Sequence, residues 1–192
     1  MAIITAFLDR DGVINRKLPE GDCVKSRQEF EFLPGVFDAL RSLKQREFRL
    51  IVVTNQRGVA LGKLLEADLQ EIHREMMAEL RQAGAALDAI YYCPHHRNTC
   101  ECRKPQLGLF QQAQRDFPDI EFSRSFMIGD SDVDMEAGQR LGCKNVLIAS
   151  AGADIAEALA KDHIKIDFSA PSLLDAVREY LLNARLDGVQ QR

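Results

Sequence analysis

Two aspartates one residue apart, Asp9 and Asp11, close an apolar run in which Ile3, Ile4, Ala6, Phe7 and Leu8 read as a short buried strand. An extended segment points side chains i and i+2 the same way, so both carboxylates can face one site; a loop can converge them as well. Carboxylates held close repel, which favours a shared cation, a shared proton, or a division into nucleophile and acid. Asp11-Gly12 also suits an ordinary turn, because turns select the same residues. What decides is the company the pair keeps. Three other polar clusters follow apolar runs: Thr54-Asn55-Gln56-Arg57-Gly58, Cys93 to Lys104, and Asp130-Ser131-Asp132-Val133-Asp134.

Asp9, Asp11 and Asp130 would supply hard oxygen ligands suited to Mg²⁺. Such an ion would keep Asp9 ionised as a nucleophile and draw a phosphoryl group toward it, leaving Asp11 to protonate a leaving alkoxide and then deprotonate water. Thr54 and Asn55 offer neutral donors to phosphoryl oxygens, and Lys104 a point charge. Together these are the parts of phosphoryl transfer through an aspartyl-phosphate. The cysteine-rich stretch offers Cys93, His95, Cys100 and Cys102, a closed Cys₃His set suited to structural tetrahedral Zn²⁺, with His96 able to stand in for His95. Zinc there would pin the loop ending in Arg103-Lys104-Pro105 and fix where both cations point.

Other patterns fall short. Gly58 to Lys63 is one residue too short for a P-loop and lacks the following Ser or Thr. Asp130-x-Asp132-x-Asp134 starts like an EF-hand loop, but Met135 and Leu141 occupy the glycine and final acidic positions. His73 sits among charged residues and reads as part of a solvated helix face.

The elements that must position these groups alternate regularly. After the Asp9 strand comes an irregular stretch at 16–28, long enough to contact substrate. Pro34-Gly35 introduces a helix carrying Val36, Phe37, Leu40 and Leu43 to about Gln45, and residues 48–54 form a β-branched strand covered on both faces. A helix at 66–83 carries Leu69, Ile72, Met76 and Leu80 on one stripe. A strand at 87–92 delivers Cys93, a helix spans 107–117, and a strand at 125–129 leads into Asp130. There follow a helix to about Leu141, a strand at 145–149, a weaker helix at 155–161, an edge strand at 164–168 and a last helix from about Leu173. This alternation predicts an α/β fold, a doubly wound, mostly parallel sheet with helices on both faces. Ligands in such folds bind at the carboxyl ends of the strands, which gathers all four polar clusters on one edge.

Length and composition set the bounds. The chain has 192 residues, enough for one domain with a full core, expected over 1–184 with the cysteine-rich loop at 93–105 inside it and a frayed tail at 185–192. Hydrophobic residues at 46% and charged residues at 28% place it among globular proteins rather than disordered ones. A net charge of −4 without a basic run argues against a nucleic-acid partner, and strand-sized apolar runs argue against a membrane span or secretory signal. A cytoplasmic location is the default expectation. In a reducing compartment three clustered cysteines favour a metal over disulfides, while Cys23 and Cys143 read as loop or core thiols.

The combination resembles the haloacid dehalogenase superfamily of phosphatases. Phe-Leu-Asp9-Arg-Asp11-Gly is similar to that family's first motif, Val-Val-Thr54-Asn55 to its second, Lys104 to its third, and Ile-Gly-Asp130-x-x-x-Asp134 to its fourth. Cys93-Pro-His95-His96 with Cys100-x-Cys102-Arg103-Lys104-Pro105 resembles the zinc-loop subgroup. The resemblance implies a minimal cap, with the 16–28 loop and the zinc loop as pocket walls. It also implies Asp9 as nucleophile and Mg²⁺ ligand, Asp11 as acid/base and ligand through its carbonyl, Asp130 as third ligand with Asp134 behind it, and Thr54 and Lys104 on the phosphoryl group. Asn55, Gln56, Arg57 and Arg103 would contact substrate, Arg103 at its distal end. The substrate class implied is a small phosphorylated sugar, most like heptose 1,7-bisphosphate at its 7-phosphate, acted on by a monomer; histidinol phosphate or another small metabolite is the alternative. The family commonly has an arginine at Leu61, Gly-Tyr where Asp22-Cys23 stand, and a lysine at Ser131. From a different class, a non-catalytic zinc-stapled binding protein is the competing expectation.

Overall fold

The computed structural model describes residues 3–19, 21–149, 159 and 162–184. Five β-strands alternate with helices, and a sixth strand closes the sheet. They are β1 (Thr5–Leu8), β2 (Arg49–Asn55), β3 (Ala89–Cys93), β4 (Ser125–Gly129), β5 (Lys144–Ile148) and β6 (Phe168–Ala170). Their order is β3-β2-β1-β4-β5-β6 and all five pairings are parallel. Strands with helices over both faces need apolar side chains up and down, which is why β1, β2 and β4 read as nearly continuous apolar runs.

The alternation of side chains along each strand sorts the core into two layers. Ala6, Leu8, Leu50, Val52, Phe126 and Ile128 pack against α1 (Val36–Gln45), α2 (Glu66–Gln82) and α5 (Leu173–Ala176), which continues into a π-helical turn at Val177–Leu181. Phe7, Ile51, Val53, Met127 and Leu147 face the other way, onto α3 (Gly108–Asp116) and α4 (Asp132–Leu141). The chain leaves β1 toward β2 and β3 on one side and β4 to β6 on the other. That reversal opens the crevice at the carboxyl ends of β1 and β4, where a ligand fits.

One expectation shifts. The edge strand forms at Phe168–Ala170 rather than 164–168. Ile164 and Ile166 instead pack against the α3/α4 layer, and the Asn145 side chain donates to the Lys165 carbonyl (2.8 Å), which holds this stretch as a loop. The helix expected at 155–161 lies outside the described residues except for Leu159, which is buried, and so does the 185–192 tail. Among the described residues no helix is long and apolar enough to cross a membrane.

Candidate active site

The four polar clusters meet at the predicted edge, around a cavity of about 640 Å³. Its floor is built on Lys104. The ammonium donates to Asp9 Oδ1 (2.9 Å) and to the Val53 carbonyl (2.6 Å), and lies 2.6 Å from Asp134 Oδ1. Two reciprocal bonds fix the loop that carries it: Asn55 Nδ2 donates to the Lys104 carbonyl (3.1 Å), and Lys104 N donates to Asn55 Oδ1 (3.0 Å). Asn55, expected as a donor to substrate, thus holds the lysine in place. Burial would lower the Lys104 pKa, but Asp134 and Asp9 more than reverse this and raise it to about 12.

Asp9, Asp130 and Asp134 bring carboxylate oxygens within 4.8 Å of one another. Glycines make that approach possible. A Cβ on Gly12, whose φ is +92°, would sit 2.2 Å from Asp130 Oδ2, and one on Gly129 would sit 2.3 Å from the Asp134 Cβ. Burial pushes the Asp9 pKa up, Lys104 pulls it down, and the charges of Asp134, Asp130 and Asp11 add to the rise, leaving it at about 7. A divalent cation would relieve that crowding, and Asp130 Oδ1 is buried without a hydrogen-bond partner. The donor set is therefore one of hard oxygens with a free position, which fits Mg²⁺. Asp134, expected behind the acids, belongs to this group.

The Asp11 carboxylate is engaged elsewhere. Arg10 Nη2 lies 2.9 Å from both of its oxygens, Asn15 Nδ2 donates to Oδ1 (2.9 Å), and Gln56 Nε2 donates to Oδ2 (2.8 Å). Burial raises the Asp11 pKa, but Arg10 and these hydrogen bonds outweigh it and hold the group below the usual carboxylate range. Gln56 also donates to Thr54 Oγ1 (2.8 Å), so this buried amide orients two site residues.

His73 corrects the reading of a solvated face. It is 3% exposed, its Nε2 lies 3.0 Å from Arg10 Nη1, and its ring meets Tyr92 edge-on. The signal was present: position 73 falls four after Leu69 and three before Met76, on the stripe that α2 buries.

Lys17 reaches over from the 16–28 loop and donates to Asp130 Oδ2 (2.7 Å). An ammonium thus stands beside Asp130 although Ser131 occupies the position where the resemblance leads one to expect lysine. Ser131 Oγ instead donates to Asp134 Oδ2.

The cysteine-rich loop closes on itself. Cys93 Sγ lies 3.5 Å from Cys100 Sγ and 3.6 Å from His95 Nδ1; Cys102 Sγ lies 3.3 Å from Cys100 Sγ and 3.2 Å from His95 Nδ1. Ligands around tetrahedral zinc are separated by about 3.5–3.8 Å, given Zn–S near 2.3 Å and Zn–N near 2.0 Å. The set fits Zn²⁺ after a small expansion, and the chain brings His95, not His96, to it.

Arg57, Lys63, Arg97 and Arg103 line the same cavity. Arg103 Nη1 is buried without a hydrogen-bond partner among the described residues. Burial lowers the pKa of Arg103, Cys93 opposes, and the charges of Arg57 and Arg97 lower it further.

A parallel sheet whose central strand ends in two acids, met by a buried lysine and a second acidic pair, is the arrangement of haloacid dehalogenase-like hydrolases. A family model described as "HAD-hyrolase-like" matches residues 101–176. The chain is 41% identical over 157 residues to the D-glycero-beta-D-manno-heptose-1,7-bisphosphate 7-phosphatase of Escherichia coli O6:H1, covering 78% of this chain and 80% of that one. It is 41% identical over 151 residues to the D-glycero-alpha-D-manno-heptose-1,7-bisphosphate 7-phosphatase of Mycobacterium bovis, covering 76% and 79%. The crystal structure of D,D-heptose 1,7-bisphosphate phosphatase from B. bronchiseptica, complexed with magnesium and phosphate, superposes with a TM-score of 0.82 at 32% identity, covering 95% of this chain and all of the other. The chain belongs to the family of these heptose-bisphosphate phosphatases, within the haloacid dehalogenase-like hydrolases. It is a phosphomonoester hydrolase, which sets aside the non-catalytic alternative.

Proposed function

We propose that this enzyme removes the 7-phosphate of D-glycero-D-manno-heptose 1,7-bisphosphate. The observation that carries the reading is one cavity with two unlike kinds of lining: the carboxylates around Lys104, and the guanidinium groups of Arg57, Arg97 and Arg103, of which the buried Nη1 of Arg103 has no hydrogen-bond partner among the described residues. A guanidinium in that condition favours an anion. A substrate with a primary phosphate on the floor and a second phosphate at Arg103 uses both kinds. The relatives named above act on the same bisphosphate in either anomeric form.

Asp9 attacks the phosphorus. The ester P–O bond breaks, its electron pair leaves on the sugar oxygen, and Asp11 delivers a proton there. Water then attacks the aspartyl-phosphate, gives its proton to Asp11, and Asp9 departs as a carboxylate with inorganic phosphate. The resting Asp11, ionised by Arg10, Asn15 and Gln56, suits the second half. The first half needs the acid form, which the dianionic phosphoryl group favours by its own charge. Lys104 and Thr54 hold phosphoryl oxygens, Lys104 as a fixed cation whose position costs no rearrangement. Asp9, Asp130 and the Asp11 carbonyl, with Asp134 beside them, would hold Mg²⁺, which when bound offsets the carboxylates' repulsion and polarises the phosphoryl group. Zn²⁺ in the Cys₃His set would be structural, and five free thiols suit a reducing compartment such as the cytoplasm.

The test is kcat/KM for both heptose 1,7-bisphosphate anomers, fructose 1,6-bisphosphate and histidinol phosphate. We expect one heptose anomer to lead the other substrates by more than about tenfold, or roughly 1.4 kcal/mol of transition-state discrimination. Histidinol phosphate turned over equally well would overturn the assignment.

A further inference from the structure

Behind Asp11 lie two buried groups to which the hydrolytic steps give no task. Arg10 is fully buried, with the Phe30 ring 5.9 Å from its guanidinium carbon, and it spans two partners: Nη2 meets both Asp11 oxygens at 2.9 Å, and Nη1 meets His73 Nε2 at 3.0 Å. Guanidinium has only donors, so His73 Nε2 accepts and carries no proton. His73 stays neutral because burial and the Arg10 charge pull its pKa down to about 3, and the Arg10 donor selects the tautomer with Nε2 free to accept. The histidine is 63 residues away in sequence, on a helix that otherwise buries Leu69, Ile72, Met76 and Leu80. A buried charge held only for stability is readily matched by apolar packing, so this pair invites a second explanation. Asn15 and Gln56 each hold one Asp11 oxygen; Arg10 alone bridges both and sets the plane of the carboxylate. Arg10 in turn is anchored at its far nitrogen by His73.

We propose that His73 is a positioning residue for proton transfer at Asp11: through Arg10 it fixes the plane in which the Asp11 carboxylate meets the leaving oxygen. The inference rests on reading Asp11 as the acid/base group, and its test separates the two.

Replacing His73 by Phe removes the acceptor. On heptose 1,7-bisphosphate, kcat should fall about tenfold or more, with KM changed less than about twofold. On p-nitrophenyl phosphate, whose phenolate leaves without a proton, the pre-steady-state phenolate burst, which reports the first half alone, should slow by less than about threefold, whereas the same single-turnover step on the sugar phosphate should slow about tenfold. His73→Gln, with a carboxamide oxygen able to accept from Arg10, should recover most of the loss. In an Asp11→Asn chain, His73→Phe should cost nothing further, because no proton remains to be aimed. Because His73→Phe can unfold the chain, Arg10→Lys serves as the second variant: it keeps a buried donor but cannot bridge Asp11 and His73, and the same leaving-group dependence is expected. Equal slowing of the first half-reaction on both substrates, or an undiminished loss in the Asp11→Asn chain, would overturn the positioning role. Full turnover by Asp11→Asn alone would instead sink the acid/base reading on which it stands.

Discussion

The floor of the cavity and its rim are built by opposite means. On the floor the Lys104 and Asp134 side chains are 1% and 0% exposed, and the Lys104 bonds to Asp9 and Val53 are buried. On the rim the Lys17 side chain is 53% exposed and the Lys25–Asp22 pair 46% and 48%, while Lys63 donates to the Gly21 carbonyl. Charges buried together interact strongly and cannot be rearranged by water, whereas exposed pairs contribute about 0–1 kcal/mol and yield readily. The floor therefore suits a fixed chemistry, and the rim suits choosing among substrates. Cutting the floor should cost turnover; cutting the rim should cost recognition.

The largest effect should come from Asp9→Asn. The substitution keeps size and a hydrogen-bond acceptor for Lys104, whose other partner Asp134 remains, so the fold should persist. It removes the nucleophile, and Mg²⁺-dependent phosphate release should fall by at least about a thousandfold. Measured alongside a thermal melt, substantial turnover by a well-folded Asp9→Asn protein would rule out the aspartyl-phosphate route.

Zinc tests whether the two regions are independent. The cluster lies at the rim, with His95 exposed, yet Cys102 precedes Arg103 and Lys104 directly. If the Cys₃His set is filled, removing the ion with a chelator should lower the melting temperature through loss of several kcal/mol of binding free energy. It should also lower kcat, because the loop that delivers the floor lysine loses its anchor. Elemental analysis should find one zinc per chain. Protein purified without chelators that contains none would refute the zinc assignment, and unchanged kcat after removal would show that Asn55 alone holds Lys104.

The floor was more legible in the sequence than its supports. Apolar runs at β1, β2 and β4 announce strands buried on both faces, and the strand-end rule then gathers Asp9, Thr54, Lys104 and Asp130 without further information. The cysteine spacing likewise points to its own cluster, leaving only His95 against His96 open. What the sequence does not disclose is which polar side chain faces inward. Arg10 looks like a surface residue because charge usually means solvent, and its bonds to Asp11 and His73 make burial affordable; for His73 the stripe of α2 carried a signal that its charged neighbours masked. An amide after a strand can meet substrate or protein equally well; Asn55 and Gln56 meet protein. The positions of Asp130 and Asp134 beside Asp9 depend on missing Cβ atoms at Gly12 and Gly129 respectively, a three-dimensional fact. The shift of β6 has a similar origin, since Ile164 and Ile166 serve a loop's burial rather than a ladder.

The smallest effect, and the sharpest test of the division between floor and rim, lies at Arg103. It follows the last cysteine and precedes the floor lysine, so sequence position alone would give the two cations one role. Geometry separates them: Lys104 is fixed on the floor by Asp9, Asp134 and Val53, whereas Arg103 Nη1 is buried without a hydrogen-bond partner among the described residues and has Arg57 and Arg97 for neighbours. Arg103→Ala should raise KM for the heptose bisphosphate by about tenfold, roughly 1.4 kcal/mol, while leaving kcat within about twofold, because the lost contact is equal in ground and transition states. For p-nitrophenyl phosphate, which has no second phosphate, both constants should stay unchanged. A fall in kcat on both substrates would mean that Arg103 supports the floor after all, and that the boundary between the two regions runs through the zinc loop rather than beside it.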